Sequence, residues 1–394
     1  MPAAVPVLAF GGSRTSLGVV RLFGRRGVPC YLAAAGDDPV VYSRWYRSAD
    51  TIEETTDPEV LKRYLLSSGF DRAVLLPCSD RWATCIAQLP PDVAERFPAS
   101  ICRPDVLDLF VDKAEFAELL ESRRVPHPRT ITTVGDGQVP IAENEINTHF
   151  LKPRDSNLCA QVFKRKAFFV PDSEQLARQS VRMRDAGCGV ILQEYIPGPA
   201  DSHYFIDGFV DRFGAPAAVF ARRRLRIFPP DFGNSTAMVS VGLDETAQAV
   251  SDLTRLLGSV GYRGMFSAEF KLDERDGVLK LLEVNTRAWW YVEFAALCGV
   301  DVCDLAYRDA LDQDVPTIDS YRVGRRYAIP SLEMRALTAA LRGKTIGPAE
   351  YLFEMGRAIK GGRPLDDPLP AVVSAARLIR KAVKRCAFGK PDAD

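Results

Sequence analysis

Residues 281–290 read LLEVNTRAWW, and the spacing of three side chains in that run decides how the rest of the chain is understood. Glu283, Asn285 and Arg287 stand at every second position. On an extended strand such residues share a face, so a carboxylate, an amide oxygen and a guanidinium point into one space. Leu279, Leu281 and Leu282 mark a buried strand leading there. Carboxylate and amide oxygens are the hard ligands Mg²⁺ prefers. A guanidinium beside them suits a phosphate or a carboxylate. Alone, such a triplet is most often a solvated strand edge or a salt bridge, but a second acidic strand shifts the balance. Residues 264–270 read GMFSAEF, with Glu269 between apolar neighbours, and the following KLDERDGVLKL carries a turn signal at Asp276-Gly277. The resulting hairpin sets Glu269 near Glu283. Two carboxylates held together cost free energy unless a cation compensates, and a divalent ion is the simplest such cation.

The chain has 394 residues, enough for two or three domains with their own cores. Its 51 basic and 51 acidic residues balance, which gives no reason to expect nucleic acid as a partner. No apolar stretch is long enough to span a bilayer. The start, MPAAVPVLAFGG, lacks the basic segment of a secretory signal. Nine cysteines, an odd number with no C-x-x-C pair, fit reduced thiols in a cytoplasm better than a disulfide framework. His127, His149 and His203 are too few for a histidine-rich zinc site.

The first hundred residues alternate short apolar runs with helical stretches: VPVLAF, GGSRTSLGVVRLFGRRG, VPCYLAA and later FDRAVLLPCSD. Strands separated by helices imply a parallel sheet with helices on both faces. The Gly11-Gly12-Ser13 turn lacks G-x-G-x-x-G spacing and reads as βα packing more readily than as a phosphate loop, although a helix N-terminus there can hold an anion. Asp80, after VLLPCS, falls just beyond a strand's carboxyl end, where α/β sheets place ligands. Residues 104–125, PDVLDLFVDKAEFAELLESRRV, read as helical, and PHPRTITT after them as extended. These signals divide the chain into a first domain over 1–108, a second over 109–320 with a small α+β subdomain at about 127–192, and a helical extension over 321–394.

Several further residues carry chemistry. Lys113 lies early in a helix, and Lys152 sits near the end of the strand FLKP, where a partly buried ammonium needs a partner. Gln193-Glu194-Tyr195-Ile196 and the following PGPAD form a strand that turns into a loop. Its backbone groups could read the edge of a base, and Asp201 could accept from ribose hydroxyls. Arg222, Arg223, Arg224 and Arg226 crowd FARRRLRIFPPDFGNST. Balanced net charge and nearby carboxylates favour an anion clamp there over a nucleic-acid stripe.

In this order the parts resemble the ATP-grasp superfamily over roughly residues 5–310. The first α/β unit resembles the Rossmann-like domain that precedes the grasp. DKAEFAELLESRRVPHP resembles the segment that opens it, with Lys113 as the first nucleotide lysine. FLKP resembles the second-lysine strand, with Lys152 reaching the phosphates, and QEYIPG the adenine hinge, with Glu194, Tyr195 and Ile196 about the base. Asp201 stands about where the family has its ribose-binding acid. Glu269 and Glu283 match the two Mg²⁺-binding acids, Asn285 the third ligand, and Arg287 the arginine of EMNTR and EINPR strings in biotin carboxylases and carbamoyl-phosphate synthases. Two departures stand out. PRDSNLCAQ after Lys152 has no glycine, which leaves Ser156 and Asn157 to make the small polar turn over the triphosphate. Ala288-Trp289-Trp290-Tyr291 replaces the biotin carboxylase continuation, which speaks against carboxylation of biotin. RRRLRIFPPDFGNST and EVNTRAWW are most similar to D-aspartate-ligase-like and short carbamoyl-phosphate-synthase-like members.

The resemblance implies an ADP-forming carbon–nitrogen ligase that joins a small carboxylate to a small amine through an acyl phosphate. It implies ATP and Mg²⁺, two ions being expected and Mn²⁺ an alternative, and it leans towards a homodimer. Arg287, Arg223 and Arg224 would steady the acyl phosphate. Arg222, Trp289, Trp290 and Tyr291 would wall the acceptor pocket, although such aromatics fill a core equally well. Two other readings stay open: a nucleotide-binding regulatory protein without turnover, and a kinase of the same fold acting on a hydroxyl. Near the end, AVVSAARLIRKAVKR places Val372, Ala376, Ile379 and Val383 at helical spacing, with Arg377, Lys381 and Lys384 on another face. Such a helix docks on its own domain more often than on a membrane.

Overall fold

The computed structural model describes residues 4–33, 38–132, 141–154, 163, 167–230, 233–360 and 366–388. Strands β1 (Val7–Phe10), β2 (Cys30–Ala33), β3 (Arg47–Ser48) and β4 (Val74–Pro77) form a parallel sheet in the order β3-β2-β1-β4. Alternation along β1 builds a layer on each side. Val7 and Ala9 pack with Val19, Val20 and Phe23 of the helix Ser13–Arg25. Leu8 and Phe10 pack with Leu61, Leu65 and Trp82, from the helices Pro58–Ser67 and Asp80–Ala87. The expected parallel sheet with helices on both faces is present.

The stretch expected to run as one helix over 104–125 is two, Pro104–Val111 and Lys113–Ser122. Asp112 divides them. Its ψ is 119°, and its side chain accepts from the N–H groups of Ala114 and Glu115. An N-cap here outcompetes helix continuation. The border drawn at 108 cuts the first of these helices. Val106, Leu107 and Phe110 pack with Ile206, Leu253 and Phe266, so that helix shares the core of the second unit.

β5 (Thr130–Ile131), β6 (His149–Pro153), β7 (Phe168–Phe169) and β8 (Val190–Glu194) make a small antiparallel sheet ordered β5-β8-β6-β7. With the helix Ser173–Asp185 it encloses its own core of Leu151, Val170, Leu176, Met183 and Leu192. Ser156 and Asn157, expected to turn over the triphosphate, lie outside the described residues.

The largest sheet is antiparallel: β9 (His203–Val210), β10 (Pro216–Phe228), β11 (Asn234–Val241), β12 (Gly264–Asp273), β13 (Val278–Asn285) and β14 (Arg326–Ala328), in the order β13-β12-β9-β10-β11-β14. β12 and β13 are the expected hairpin, and Gly277 at its turn takes φ +71°, a region open to glycine at little cost. β14 pairs with β11, so the segment expected as a helical extension begins as an edge of this sheet. Helices Pro330–Arg342, Pro348–Lys360 and Leu369–Phe388 follow. The last is anchored where it begins. Asp367, 2% exposed, accepts from Arg21 Nε and Ser43 Oγ, each at 2.8 Å. The Arg377 guanidinium lies 5.7 Å from the Tyr42 ring centre. The side chains of Ile379, Val383, Lys381 and Lys384 lie outside the described ones. Among the described residues no helix is long and apolar enough to cross a membrane.

Candidate active site

A cavity of about 600 Å³ is lined by residues of both the small sheet and the six-stranded sheet. Phe150, Lys152, Gln193 and Glu194 come from the small sheet. The large sheet contributes His203 and Phe205 from β9, Arg222 and Arg224 from β10, Ser267, Glu269 and Lys271 from β12, and Glu283 and Asn285 from β13. Phe150 and Lys152 on β6, and the residues named on β9, β10, β12 and β13, each keep one parity, as strand alternation requires of residues on a single face, whereas Gln193 and Glu194 are neighbours at the end of β8.

The hairpin register sets Glu269 directly opposite Glu283, and Ser267 opposite Asn285. Glu269 Oε1 accepts from Arg224 Nη2 and His203 Nδ1, both at 2.8 Å. Burial pushes the Glu269 pKa up, but Arg224, His203 and Lys152 outweigh it and hold the carboxyl well below the usual range. His203 moves the other way. Burial lowers its pKa, helped by Arg224 and Lys271 and opposed by Glu269. Because a carboxylate only accepts, the neutral ring donates through Nδ1–H.

Two opposed carboxylates and a neighbouring amide suit Mg²⁺, which commonly takes few protein oxygens and completes its shell with water and phosphate. The donor set fits that pattern. Among the described residues, hydrogen bonds to Glu269 fall on Oε1 and leave Oε2. Among the described residues no three His, Cys, Asp or Glu side chains converge on one point as a closed metal cage would need.

Arg287 reaches beyond the large sheet. Its Nε and Nη2 donate to Asp80 Oδ1 and Oδ2 at 3.1 and 3.2 Å, Nη2 also to Asn285 Oδ1 at 3.0 Å, and Nη1 to Ala288 O at 3.0 Å. Burial lowers its pKa, but Asp80 foremost, together with Glu283 and Cys78, more than offsets that. Asp80 opens the helix Asp80–Ala87 straight after β4, so the parallel sheet's carboxyl edge meets the end of β13.

Most of the expected site residues line this one cavity: Lys113, Lys152, Glu194, Tyr195, Ile196, Arg222, Arg224, Glu269, Glu283, Asn285, Arg287, Trp289, Trp290 and Tyr291. Two do not. Arg223, expected beside Arg224 at the acyl phosphate, has the opposite parity on β10, and its Nη1 lies 3.9 Å from Asp201 Oδ2. Asp201, expected at the ribose, is thereby paired away from the cavity wall, its side chain half exposed in the short turn Ala200–Ser202. Arg222 lines the cavity but is held by the sheet. Its Nε donates to Asp207 Oδ2 at 2.6 Å, and its guanidinium lies 4.1 Å from the Phe205 ring centre. Asp207 is 0% exposed, and burial raises its pKa against the pull of Arg222. Arg222 is therefore a strut rather than a free substrate ligand. Trp289 and Tyr291 are core residues, the Tyr291 hydroxyl donating to Ser235 O at 2.5 Å. Trp290 is only partly buried, with Arg14 5.8 Å from its ring centre.

Among the lining residues that escaped the sequence reasoning as members of the site are His203, Lys271 and, in its pairing, Asp80. Lys271 is 5% exposed, with Nζ 4.7 Å from the Tyr195 ring centre. Its parity with Glu269 was the available signal.

The architecture of a parallel sheet, a small lid sheet and an antiparallel sheet around this cleft is the ATP-grasp fold. No family model matches the chain. Among solved structures it is similar to N5-carboxyaminoimidazole synthetase from Staphylococcus aureus complexed with ADP, with a TM-score of 0.61 and 13% identity over 83% of this chain and 81% of that one. It is also similar to L-amino acid ligase from Bacillus licheniformis, with a TM-score of 0.55 and 14% identity over 79% and 75%. In sequence it is 24% identical to D-aspartate ligase of Enterococcus faecium (strain Aus0004) over an alignment of 324 residues that covers 77% of this chain and 76% of that protein.

Proposed function

We propose that the chain is an ATP-dependent carboxylate–amine ligase that forms an amide through an acyl phosphate and releases ADP and phosphate. The observation that carries this is Glu269 facing Glu283 across the hairpin, with Asn285 and Arg287 next along the chain and Lys113 and Lys152 in the same cavity. Likeness to a D-aspartate ligase and an L-amino acid ligase supports small carboxylate and amine substrates.

Lys113 and Lys152 would hold the nucleotide phosphates, and the hinge backbone at Glu194 to Ile196 the base. Mg²⁺, two ions on this proposal, would be held by Glu269, Glu283 and Asn285 and would neutralise charge on the transferred phosphoryl group. Arg224 and His203 keep Glu269 ionised and aimed. The substrate carboxylate attacks the γ-phosphorus, and ADP leaves. The amine then attacks the acyl carbon, and phosphate leaves. From an ammonium, one proton ends on the phosphate and one in solvent. Arg287 would steady the acyl phosphate and the tetrahedral intermediate. The test offers ATP, Mg²⁺ and panels of amino acids and small dicarboxylic acids, and follows ADP, AMP and phosphate. ADP release that needs both an acid and an amine is expected; AMP release overturns the proposal.

A further inference from the structure

The helix Leu369–Phe388 turns outward, in its first half, the stripe that an amphipathic helix ordinarily buries. We infer that this stripe, with the basic residues that accompany it in sequence, is a docking surface for an anionic lipid bilayer. The inference is independent of the ligase reading.

Orientation argues first. Leu369, Val372 and Ala376 follow one another at helical spacing, and all three are exposed, Leu369 at 56% and Val372 at 59%. Arg380 is exposed one turn farther on. The side toward the protein is carried instead by Pro370, which is buried, and by Ser374 and Arg377, which are half-buried. Arg377 lies against Tyr42 of the short turn Pro39–Tyr42, on which the helix packs. That turn adds apolar surface of its own, since Val41 and Tyr42 are exposed while Val40 is buried. Two touching elements thus leave large apolar side chains in water, an arrangement that costs free energy until something covers them.

Charge argues second, and names the occupant. From Pro368 to Pro391 the basic residues are Arg377, Arg380, Lys381, Lys384, Arg385 and Lys390, and there is no acidic one, although the chain as a whole is balanced. Protein interfaces are depleted in lysine, and a symmetric contact with a second copy would set this run of like charge against itself. An anionic bilayer is instead favoured by each Lys and Arg near its surface, and it takes up an apolar stripe at the level of its headgroups. Among the described residues no helix is long and apolar enough to cross a membrane, so this one lies in the plane of the interface.

The test is flotation of the full chain with vesicles of phosphatidylcholine alone and of phosphatidylcholine mixed with phosphatidylglycerol. Binding to the anionic vesicles and not to the neutral ones is expected, weakening as salt is raised. Lys381→Gln with Lys384→Gln is expected to weaken it roughly thirtyfold. Leu369→Ser with Val372→Ser is expected to weaken it at least about tenfold. The melting temperature of both double variants should match that of the unaltered protein, which separates loss of the surface from loss of the fold. No binding to either vesicle, equal binding to both, or anionic binding that survives both double substitutions overturns the inference. So does a dimer in light scattering that Leu369→Ser with Val372→Ser dissociates, because the stripe then belongs to a second copy.

Discussion

The two walls of the cleft are built differently. The large-sheet wall carries charges paired before any substrate arrives: Asp207 with Arg222, Glu269 with Arg224 and His203, Arg287 with Asp80. Its strands also bury Phe209, Phe220 and Met238 in a core continuous with the parallel sheet. The lid wall offers Lys152, Gln193 and Glu194 from a small sheet whose core is its own. On the proposed function, the difference follows from their tasks. Groups that meet developing charge act best when already in place, and charges survive burial only when paired. A wall that covers a nucleotide has only to present a cation and a hinge.

Four substitutions and one titration can break or sharpen this contrast. The largest effect is expected for Glu283→Ala. Losing several kcal/mol of charge stabilisation should lower ADP release roughly a thousandfold. Full turnover in that variant removes the metal assignment. Next is Arg222→Met, which leaves Asp207 buried without its partner. Urea unfolding should show a loss of about 3–5 kcal/mol, partly recovered when Asp207→Leu is added. A loss below about 1 kcal/mol would mean that the sheet wall owes little to its ion pairs. On the lid, Lys152→Ala should raise the KM for ATP roughly tenfold, about 1.4 kcal/mol, and leave the unfolding free energy nearly unchanged. A large stability loss there would erase the distinction between the walls. Arg223→Ala, one residue from Arg222, should change turnover by less than about twofold and stability by at most about 1 kcal/mol, as partly exposed pairs do.

The smallest effect lies outside the cleft. The hydrogen bond from Arg25 lowers the Asp366 pKa from its ordinary 3.8, with burial opposing. An acid with a depressed folded pKa contributes stability fully above its unfolded value, and loses it as pH falls through the folded one. The melting-temperature gap between the unaltered protein and Asp366→Asn should therefore be constant above about pH 4 and close below it. A gap that persists at lower pH would show that the ionised Asp366 is not what anchors the C-terminal segment.

Local pattern made part of this legible in the sequence. Parity alone put Glu283 and Asn285 on one face, and the Asp-Gly turn set the register that opposes Glu269 to Glu283. Parity also separates Arg223 from Arg222 and Arg224, and treating the four arginines of that run as one clamp missed it. Asp112 was readable too. An aspartate followed three residues later by Glu115 is an N-cap signature, hidden by apolar residues that continue on either side. The Asp80–Arg287 pair joins residues 207 apart in the chain. No period or turn signal encodes it, because it arises only when the parallel sheet docks on the end of the hairpin. The ordering of Lys271 beneath Tyr195 is of the same kind.

The central claim is that ATP activates a carboxylate before an amine displaces phosphate. It is tested most directly by supplying the acid that supports ADP release with ¹⁸O in its carboxylate, and analysing the phosphate by mass spectrometry. An acyl phosphate leaves one carboxylate oxygen on the phosphorus, so the account predicts one ¹⁸O atom per phosphate released with amide formation. Unlabelled phosphate alongside the amide would contradict it.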